Sequence, residues 1–277
     1  MIVDSHMHVW ETPPEAALGG SHPESAGRPD GPAPVEAYVA EMDEHGVDRA
    51  VLVQTSFSTW DNSYIARAAR EYDRFVAHGL VDPLHPDAET ARKWLDDYGL
   101  SGFRFHTRHY SEDVLTHPRM ADLLAFLDER GARVNLHMSP SDAAQVDVVA
   151  REYPDVTWLL DHLGGYPRPE WAPDWRPLEA VCALATRDNV YVKVSNYHAN
   201  SAEGFPWRDV HGAVRRLVEA FGADRCLWGT SYPAEHREKT GSPPLDEELR
   251  FVEELGFLSG AERDAIMGDT ALDVWEW

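Results

Sequence analysis

The stretch Ile2–Trp10, which reads IVDSHMHVW, has the pattern of a short strand that ends in two histidines. Two apolar residues lead into an alternation of Asp4, His6 and His8, and the two-residue period of a β-strand would place these side chains on one face. Two imidazoles on one face at a strand end can approach a single ion, and imidazole suits Zn, Fe, Mn or Ni. The stretch alone leaves a turn or a pair of surface histidines as the alternative.

The composition predicts one domain that does not bind nucleic acid. The chain has 277 residues, 43% of them hydrophobic, which is typical of a single large domain, residues 1–277. Its 48 acidic and 25 basic residues give a net charge of −23, which argues against a polyanionic partner. Because no apolar run of about 18 residues and no signal-peptide pattern occur, we expect a cytoplasmic protein without a membrane segment. Cys182 and Cys226 are expected to be buried thiols.

Segments with strand character alternate with segments of helical periodicity along the whole chain. In the helical segments apolar residues recur at i, i+3, i+4 and i+7, as in Met120–Leu127. Because no two strands follow each other directly, the alternation favours right-handed βαβ units, and eight such units predict a single-domain α/β fold, a (β/α)8 TIM barrel. The predicted strands are Ile2–His6, Ala50–Gln54, Phe75–Val81, Gly102–Phe105, Arg133–His137, Thr157–Asp161, Val190–Val194 and Cys226–Gly229.

The connections between these segments differ in length in a regular way. Those from helix to strand are short, whereas several from strand to helix are long and rich in Pro, Gly and Trp. Long irregular loops in a compact domain usually carry function, and all of these lie at the C-terminal face, where such barrels keep their sites. The long connections are residues 10–34, 163–175, 196–207 and 230–245.

Four histidines fall at the ends of predicted strands. His6 and His8 close strand 1, His137 closes strand 5, and His162 follows Asp161 at the end of strand 6. In a parallel barrel these strand ends meet at the same rim. A single buried histidine is commonly structural, but four at one rim predict a functional site.

Short motifs spread along the chain carry a family resemblance. They are DSHMH at 4–8, GLVDP at 79–83, GFR at 102–104, NLH at 135–137, DHLGG at 161–165, VKVS at 192–195 and IMGDTA at 266–271. In combination they resemble the amidohydrolase superfamily, in the branch of TIM-barrel hydrolases that contains sugar-lactone and pyrone-dicarboxylate lactonases and is related to aminocarboxymuconate-semialdehyde decarboxylase. The resemblance covers essentially the full chain and implies a small-molecule hydrolase.

One position departs from the family pattern. Strand 8 in the family ends in Gly-Ser/Thr-Asp-x-Pro, whereas here Gly229, Thr230 and Pro233 keep the register around Ser231. A serine cannot act as an anionic ligand and is a poor general base near neutral pH.

The resemblance implies a divalent metal, Zn or Mn, on His6, His8 and His137, with His162 near the attacking water. Because Ser231 replaces the usual carboxylate, we expect the metal to be weakly held or absent. The alternative is acid–base chemistry without a metal. In either case the proton of the water needs another acceptor. The candidates by position are His162, Asp161, His198 and Glu235.

Basic and aromatic residues near the strand ends predict an anionic or cyclic substrate. Arg104, with His106 and Arg108 beyond it, is placed to bind a carboxylate, and pairing with the chain's own acidic residues is the alternative. Lys193 lies in an apolar strand, where burial would lower its pKa; it could polarise a carbonyl or simply pair with a carboxylate. The loop residues expected to contact a flat or cyclic substrate are Tyr197, His198 and Tyr232.

Together these residues favour a hydrolase that acts on a lactone or a related cyclic ester or amide. The catalytic candidates are His137, His162, Lys193 and Ser231. Two alternatives stay open: a decarboxylase-like lyase, because the usual water-activating aspartate is missing, and a catalytically silent barrel that binds a ligand. The expected partner is a small carboxylated or cyclic molecule, and a homo-oligomer is compatible with the sequence.

Overall fold

A parallel barrel of eight strands forms the centre of the protein. The computed structural model describes residues 1–11, 31–58, 60–110, 112–231, 237 and 241–277. Within them the strands pair in the order β1 to β8, all parallel, which confirms the predicted (β/α)8 TIM barrel. The strands are β1 (Val3–Met7), β2 (Arg49–Val53), β3 (Phe75–Leu80), β4 (Gly102–Phe105), β5 (Arg133–Leu136), β6 (Thr157–Leu160), β7 (Val190–Val194) and β8 (Cys226–Trp228).

Helices separate successive strands and continue after β8. Local signals set their ends: the first helix stops at Gly46, whose φ of 73° suits glycine and whose N–H bonds to the Met42 carbonyl. The described part of the chain contains no helix with the length and apolar composition needed to cross a membrane. The helices are α1 (Val35–His45), α2 (Ser63–Glu71), α3 (Ala88–Asp96), α4 (Ala121–Glu129), α5 (Ala143–Glu152), α6 (Glu179–Ala183), α7 (His211–Phe221), α8 (Leu245–Glu254), α9 (Gly260–Asp264) and α10 (Thr270–Trp275).

The barrel closes between β8 and β1 through backbone bonds of Ser231. The Ser231 N–H donates to the His6 carbonyl at 2.7 Å, and the Ser231 carbonyl accepts from the His8 N–H at 2.9 Å. Gly229 permits this approach, because a β-carbon there would lie 3.0 Å from the His6 nitrogen and 3.2 Å from Ser5 Oγ. The closure therefore places Ser231 beside His6 of β1 and beside His8, which directly follows the strand.

Two apolar layers stabilise the barrel, one between strands and helices and one inside the strands. In the inner layer Val3, Val51, Leu159 and Leu227 pack with Trp275 of α10. Helix α10 covers the N-terminal end of the barrel. Burying each such side chain contributes roughly 1.5–3 kcal/mol. With the N-terminal end filled, the polar residues of the interior lie toward the C-terminal end.

Candidate active site

Charged and polar side chains from several strands meet at the C-terminal end of the barrel. His6 comes from β1, Arg104 from β4, and Lys193 from β7, while Asp161 and His162 directly follow β6. All five are at most 4% exposed. Charged residues are almost never buried this deeply unless they are paired. The histidine rim predicted from the sequence is therefore joined by a buried ionic group.

Asp161 is the centre of this group. Its Oδ2 accepts from Arg104 Nε at 2.8 Å, and its Oδ1 accepts from Asn135 Nδ2 at 2.9 Å. Lys193 Nζ lies 3.8 Å from the same Oδ1. Burial alone would raise the pKa of the Asp161 carboxyl, but His6, Arg104 and Lys193 hold it well below its usual value. Arg104 therefore pairs with a carboxylate of the chain itself, which is the alternative left open for its predicted contact with substrate.

His6 combines a fixed tautomer with an available nitrogen. Its Nδ1 lies 3.2 Å from Asp161 Oδ1 and 3.4 Å from Lys193 Nζ. We assign the proton to Nδ1 because the nearer of the two partners is a carboxylate, which only accepts. Burial lowers the pKa of His6 well below its usual value, so the ring is neutral. Within the described residues, the buried Nε2 has no hydrogen-bond partner. His6 thus presents a lone pair, oriented from behind by a carboxylate.

Lys193 brings a second cation to the group. Its Nζ donates to the Ser5 carbonyl at 2.6 Å and lies 5.9 Å from the centre of the Trp275 ring. Burial lowers the pKa of Lys193 to about 8, against the opposing charge of Asp161. The lowered pKa predicted from its apolar strand agrees with this placement. At neutral pH Lys193 and Arg104 supply two positive charges against the single negative charge of Asp161.

His162 is held by partners on both ring nitrogens. Arg104 Nη2 lies 3.5 Å from Nε2 and can only donate, so Nδ1 carries the proton and donates to Ser195 Oγ at 2.9 Å. Burial lowers the pKa of His162 well below its usual value. The ring centre lies 4.7 Å from that of His6 and 4.8 Å from that of Tyr166. His162 is therefore a neutral imidazole beside the base-like His6.

The turn after β6 places His162 and Tyr166 by an unusual backbone path. The φ angles are 52° at His162, 59° at Leu163 and 55° at Tyr166, and the two intervening glycines are also positive. Non-glycine residues pay about 1–2 kcal/mol for this left-handed conformation, and such strain is typical of functional sites. At Gly164 a β-carbon would lie 2.5 Å from Val181 Cγ1. The DHLGG motif is thus explained by this turn.

An open cavity begins at His137. The Nδ1 atoms of His137 and His106 lie 3.2 Å apart, so the two rings are partners. The cavity has a volume of about 520 Å³, and Arg108 lies along its wall with its guanidinium 4.9 Å from the centre of the Tyr166 ring. The cavity is lined by Arg108, His137, Ser139, Pro140, Gly165, Tyr166, Arg168, Trp171, Ala199 and Asn200.

Ser231 lies beside His6 and His8, as the sequence predicts. It is fully buried, its φ is 101°, and its hydroxyl has no hydrogen-bond partner among the described residues. The neighbouring Thr230 turns to Asp4, which accepts from both the N–H and the hydroxyl of Thr230. Nothing in this geometry tests a catalytic role for the Ser231 hydroxyl, which stays a prediction.

Asp4 corrects the expectation that it shares a face with His6 and His8. Its Oδ2 accepts from the hydroxyl of Tyr38 on α1 at 2.8 Å, so its carboxylate lies on the helix side of the strand. The reason is a shift of register between Asp4 and Met7, which breaks the two-residue alternation. Asp4 thus anchors β1 to its surroundings, while His6 faces the buried ionic group.

One group of potential metal ligands shares His6 with the predicted set. Ligand atoms of His6, Asp161 and His162 all lie within 4.8 Å of one another, the one such group found in the described residues. His8 and His137 are not members of this group. His8 Nδ1 donates to the Val53 carbonyl at 2.7 Å and His137 Nδ1 lies 3.2 Å from His106 Nδ1, and neither contact excludes a metal on the other ring nitrogen, so the predicted set stays a prediction. Two imidazoles and a carboxylate, with the His6 Nε2 lone pair available, are compatible with a divalent metal.

The loop after β7 departs from its predicted role. Tyr197 is 2% exposed, stacks on Phe251 of α8 with ring centres 3.6 Å apart, and donates to the Glu248 carbonyl. The left-handed φ of 49° at Asn196 diverts the chain after β7, so the structure does not bring Tyr197 to the cavity. His198 packs against Trp207, and burial lowers its pKa to about 4. Tyr232 and Glu235, which were predicted as site residues in the connection after β8, lie outside the described residues.

Sequence reasoning missed two polar residues of the group. Asn135 on β5 donates to Asp161, and Ser195 accepts from His162. Both were detectable, because Asn135 stands two positions before His137 and Ser195 two after Lys193 on strands of period two. A polar residue in phase with a site residue on a buried strand is the signal that identifies them.

Comparisons with known proteins agree with this architecture. The 4-sulfomuconolactone hydrolase of Rhizobium radiobacter is 29% identical over 235 residues, 83% of this chain and 75% of the relative. The D-galactarolactone isomerase of Agrobacterium fabrum is 27% identical over 270 residues, 92% of this chain and 84% of that protein. The crystal structure of a probable 2-pyrone-4,6-dicarboxylic acid hydrolase from Acinetobacter baumannii shares the fold, with a TM-score of 0.82, 20% identity, and coverage of 100% of this chain and 99% of the other.

A family model spans nearly the whole chain. The model described as Amidohydrolase matches residues 3–277, which include every strand of the barrel and every residue of the buried ionic group. The family resemblance stated from the sequence motifs is confirmed by this match. The chain is therefore an enzyme of the amidohydrolase family.

Proposed function

We propose that the protein hydrolyses lactones, with Asp161 and His6 activating the attacking water. The observation that carries this proposal is the His6 ring itself, which is neutral, has its Nδ1 3.2 Å from the Asp161 carboxylate, and is buried with no partner for Nε2 among the described residues. A carboxylate behind an imidazole holds the tautomer and stabilises the imidazolium that forms when the ring takes a proton. The relative named as a lactone hydrolase supports the same reaction class, and the relative named as a lactone isomerase supports only the same class of substrate.

The reaction needs charge stabilisation as well as a base. As the water oxygen bonds to the lactone carbonyl carbon, its proton passes to His6 Nε2 and negative charge develops on the carbonyl oxygen. Arg104 and Lys193 make this buried region electropositive, and preorganised charge in a dry site is usually the largest contribution to rate. When the ring C–O bond breaks, the proton held by His6 returns to the leaving oxygen, and an open-chain hydroxy acid is released.

How tightly a divalent metal would be held depends on the charges of the same group. The ion's ligands would be His6, Asp161 and His162, and a bound divalent ion would supply Lewis-acid polarisation of a carbonyl or water. We propose that Zn or Mn is held only weakly. Ser231 offers no negative charge, and the charge of Asp161 is already compensated by Arg104 and Lys193.

The cavity favours a small anionic substrate with a flat ring. Arg108 and Arg168 line it together with Tyr166 and Trp171. Arginine binds carboxylates and sulfonates through several N–H groups, and aromatic faces pack against planar rings. A carboxylated or sulfonated lactone therefore fits the chemistry of the wall and would present its carbonyl toward His137 and the buried group. The cytoplasmic location and the homo-oligomer stay predictions.

A substrate panel tests the proposal. Carboxylated, sulfonated and neutral lactones are incubated with the protein, with and without added Zn²⁺ or Mn²⁺, and acid release is followed. We expect hydrolysis of the anionic lactones and a loss of activity in His6→Gln but not in His198→Gln, a buried histidine outside the cavity lining. Release of CO2 from aromatic carboxylates would instead identify a lyase. Ligand-induced thermal stabilisation without any product would identify a silent binding barrel.

A further inference from the structure

A continuous chain of hydrogen bonds crosses the barrel interior beneath the site. Trp275 Nε1 on α10 lies 3.0 Å from His78 Nε2 on β3. His78 Nδ1 lies 2.7 Å from Asn135 Oδ1 on β5, and Asn135 Nδ2 lies 2.9 Å from Asp161 Oδ1. None of the four residues is more than 7% exposed. The chain thus links the helix at the N-terminal end of the barrel to the carboxylate of the site.

The two ends of this chain determine the direction of every bond. An indole N–H can only donate, so His78 Nε2 accepts and His78 Nδ1 carries the single proton of the neutral ring. Asn135 must then accept with Oδ1, which directs its Nδ2 toward Asp161, and a carboxylate only accepts. Reversing any link would place two donors or two acceptors against each other. Burial, together with the charge of Lys193, lowers the pKa of His78 to about 3, which keeps the ring neutral.

Trp275, at the far end of this chain of hydrogen bonds, also lies close to Lys193 of the site. The ring of Trp275 lies 5.9 Å from Lys193 Nζ, so the indole contacts one site residue directly and Asp161 through two intermediates. Trp275 is fixed by its packing with Val3 and Val51 inside the barrel. Its position therefore follows from the apolar core and not from the presence of a substrate.

We propose that Trp275, His78 and Asn135 are positioning residues that hold Asp161 for its work with His6. This inference rests on the proposed function, in which Asp161 orients His6. The Asn135 amide fixes Oδ1, the same oxygen that accepts from His6 Nδ1, while Arg104 binds Oδ2. Without the amide, the carboxylate is free to turn toward its two cations, and the His6 ring loses the partner that aims Nε2 at the water.

Steady-state kinetics on a hydrolysed lactone separate this role from a merely structural one. Asn135→Leu keeps the branched shape of the side chain, with somewhat larger volume, and removes its hydrogen bonds. We expect its kcat to fall roughly 10- to 100-fold, as for other residues that orient a site residue. KM should stay within about twofold, because Asn135 does not line the cavity. Trp275→Phe should lower kcat less. Trp277 is a neighbouring tryptophan that takes no part in these hydrogen bonds, so Trp277→Phe should match the wild type. A folded Asn135→Leu variant with wild-type kcat would overturn the proposal.

A second measurement does not depend on activity. Nitrogen NMR of the His78 ring in the wild type should report a proton on Nδ1 and none on Nε2, unchanged in Trp277→Phe. A ring protonated on Nε2, or on both nitrogens at neutral pH, would overturn the proposal. If the wild type hydrolyses no lactone, the proposed function fails, and the His78 tautomer still decides whether the chain of bonds runs toward Asp161.

Discussion

Among single residues, Ser231 gives a direct test of metal binding, because the family resemblance implies an aspartate at its position. Its backbone joins His6 to His8, and its buried hydroxyl has no partner in the described residues. Ser231→Asp would add a carboxylate next to the His6, Asp161 and His162 group. We expect this variant to hold Zn²⁺ at least roughly 10-fold more tightly than the wild type, an effect that outer-shell partners alone can produce. Metal analysis after dialysis provides the measurement.

The matched control for this change is Ser231→Asn, which has the shape of aspartate without its charge. It should retain no more metal than the wild type, since only the added negative charge offsets Arg104 and Lys193. Equal and tight retention in wild type and Ser231→Asp would show that the missing carboxylate is irrelevant to the metal.

Residue positions were predicted better than residue partners. Strand phase and strand ends sufficed to place His6, His162 and Lys193 at one rim, where the structure brings them together. The predicted metal set of His6, His8 and His137 stays a prediction. Which nitrogen of His8 or His137 is engaged depends on the Val53 carbonyl and on His106, and these contacts exist only after folding.

At the scale of elements, the turn from His162 to Tyr166 is expected to be intolerant of any side chain at its centre. Gly164→Ala combines a left-handed φ of 69° with a contact of 2.5 Å to Val181 Cγ1. Gly99→Ala is the control, because its φ of 74° is similar and no atom lies within 4 Å of the added carbon. We expect Gly99→Ala to lower the free energy of unfolding by about 1–2 kcal/mol, and Gly164→Ala by about 1–3 kcal/mol more.

Urea unfolding of the two variants measures the difference, and kcat should fall in Gly164→Ala alone, since only that turn carries His162. Equal losses of stability would mean that Val181 moves aside without cost. The strand order was predicted from the alternation of segments, and a long irregular connection was predicted at residues 163–175. The register shift of β1 was not, because a bulge leaves no mark on an apolar–polar alternation of only a few residues.

At the scale of the whole molecule, buried neutral histidines make the fold sensitive to acid. Burial lowers the pKa of His8 and His78 to about 3 and that of His198 to about 4. Between pH 6.5 and 4 the unfolded chain binds protons at these positions that the folded chain does not. Stability therefore rises with pH in this window and is lost as pH falls, by roughly 1.4 kcal/mol per pH unit for each histidine.

Urea unfolding at pH 7, 5.5 and 4.5 checks this expectation. His198→Gln should reduce the slope by the contribution of one histidine. A free energy of unfolding that stays constant from pH 7 to 4.5 would contradict the assignment of neutral, buried rings.

Because the sheet closes through Ser231, β1 can complete its backbone hydrogen bonds only late in the synthesis of this sequence. The ribosome makes His6 and His8 first, and their backbone groups stay without their sheet partner until residue 231 has emerged. Until then β1 is the open edge of an unfinished sheet, the kind of surface that pairs with other chains. Trp275, which completes the bonds beneath Asp161, is made later still. A nascent chain thus carries His6 and His8 without their sheet partner until Ser231 has been made.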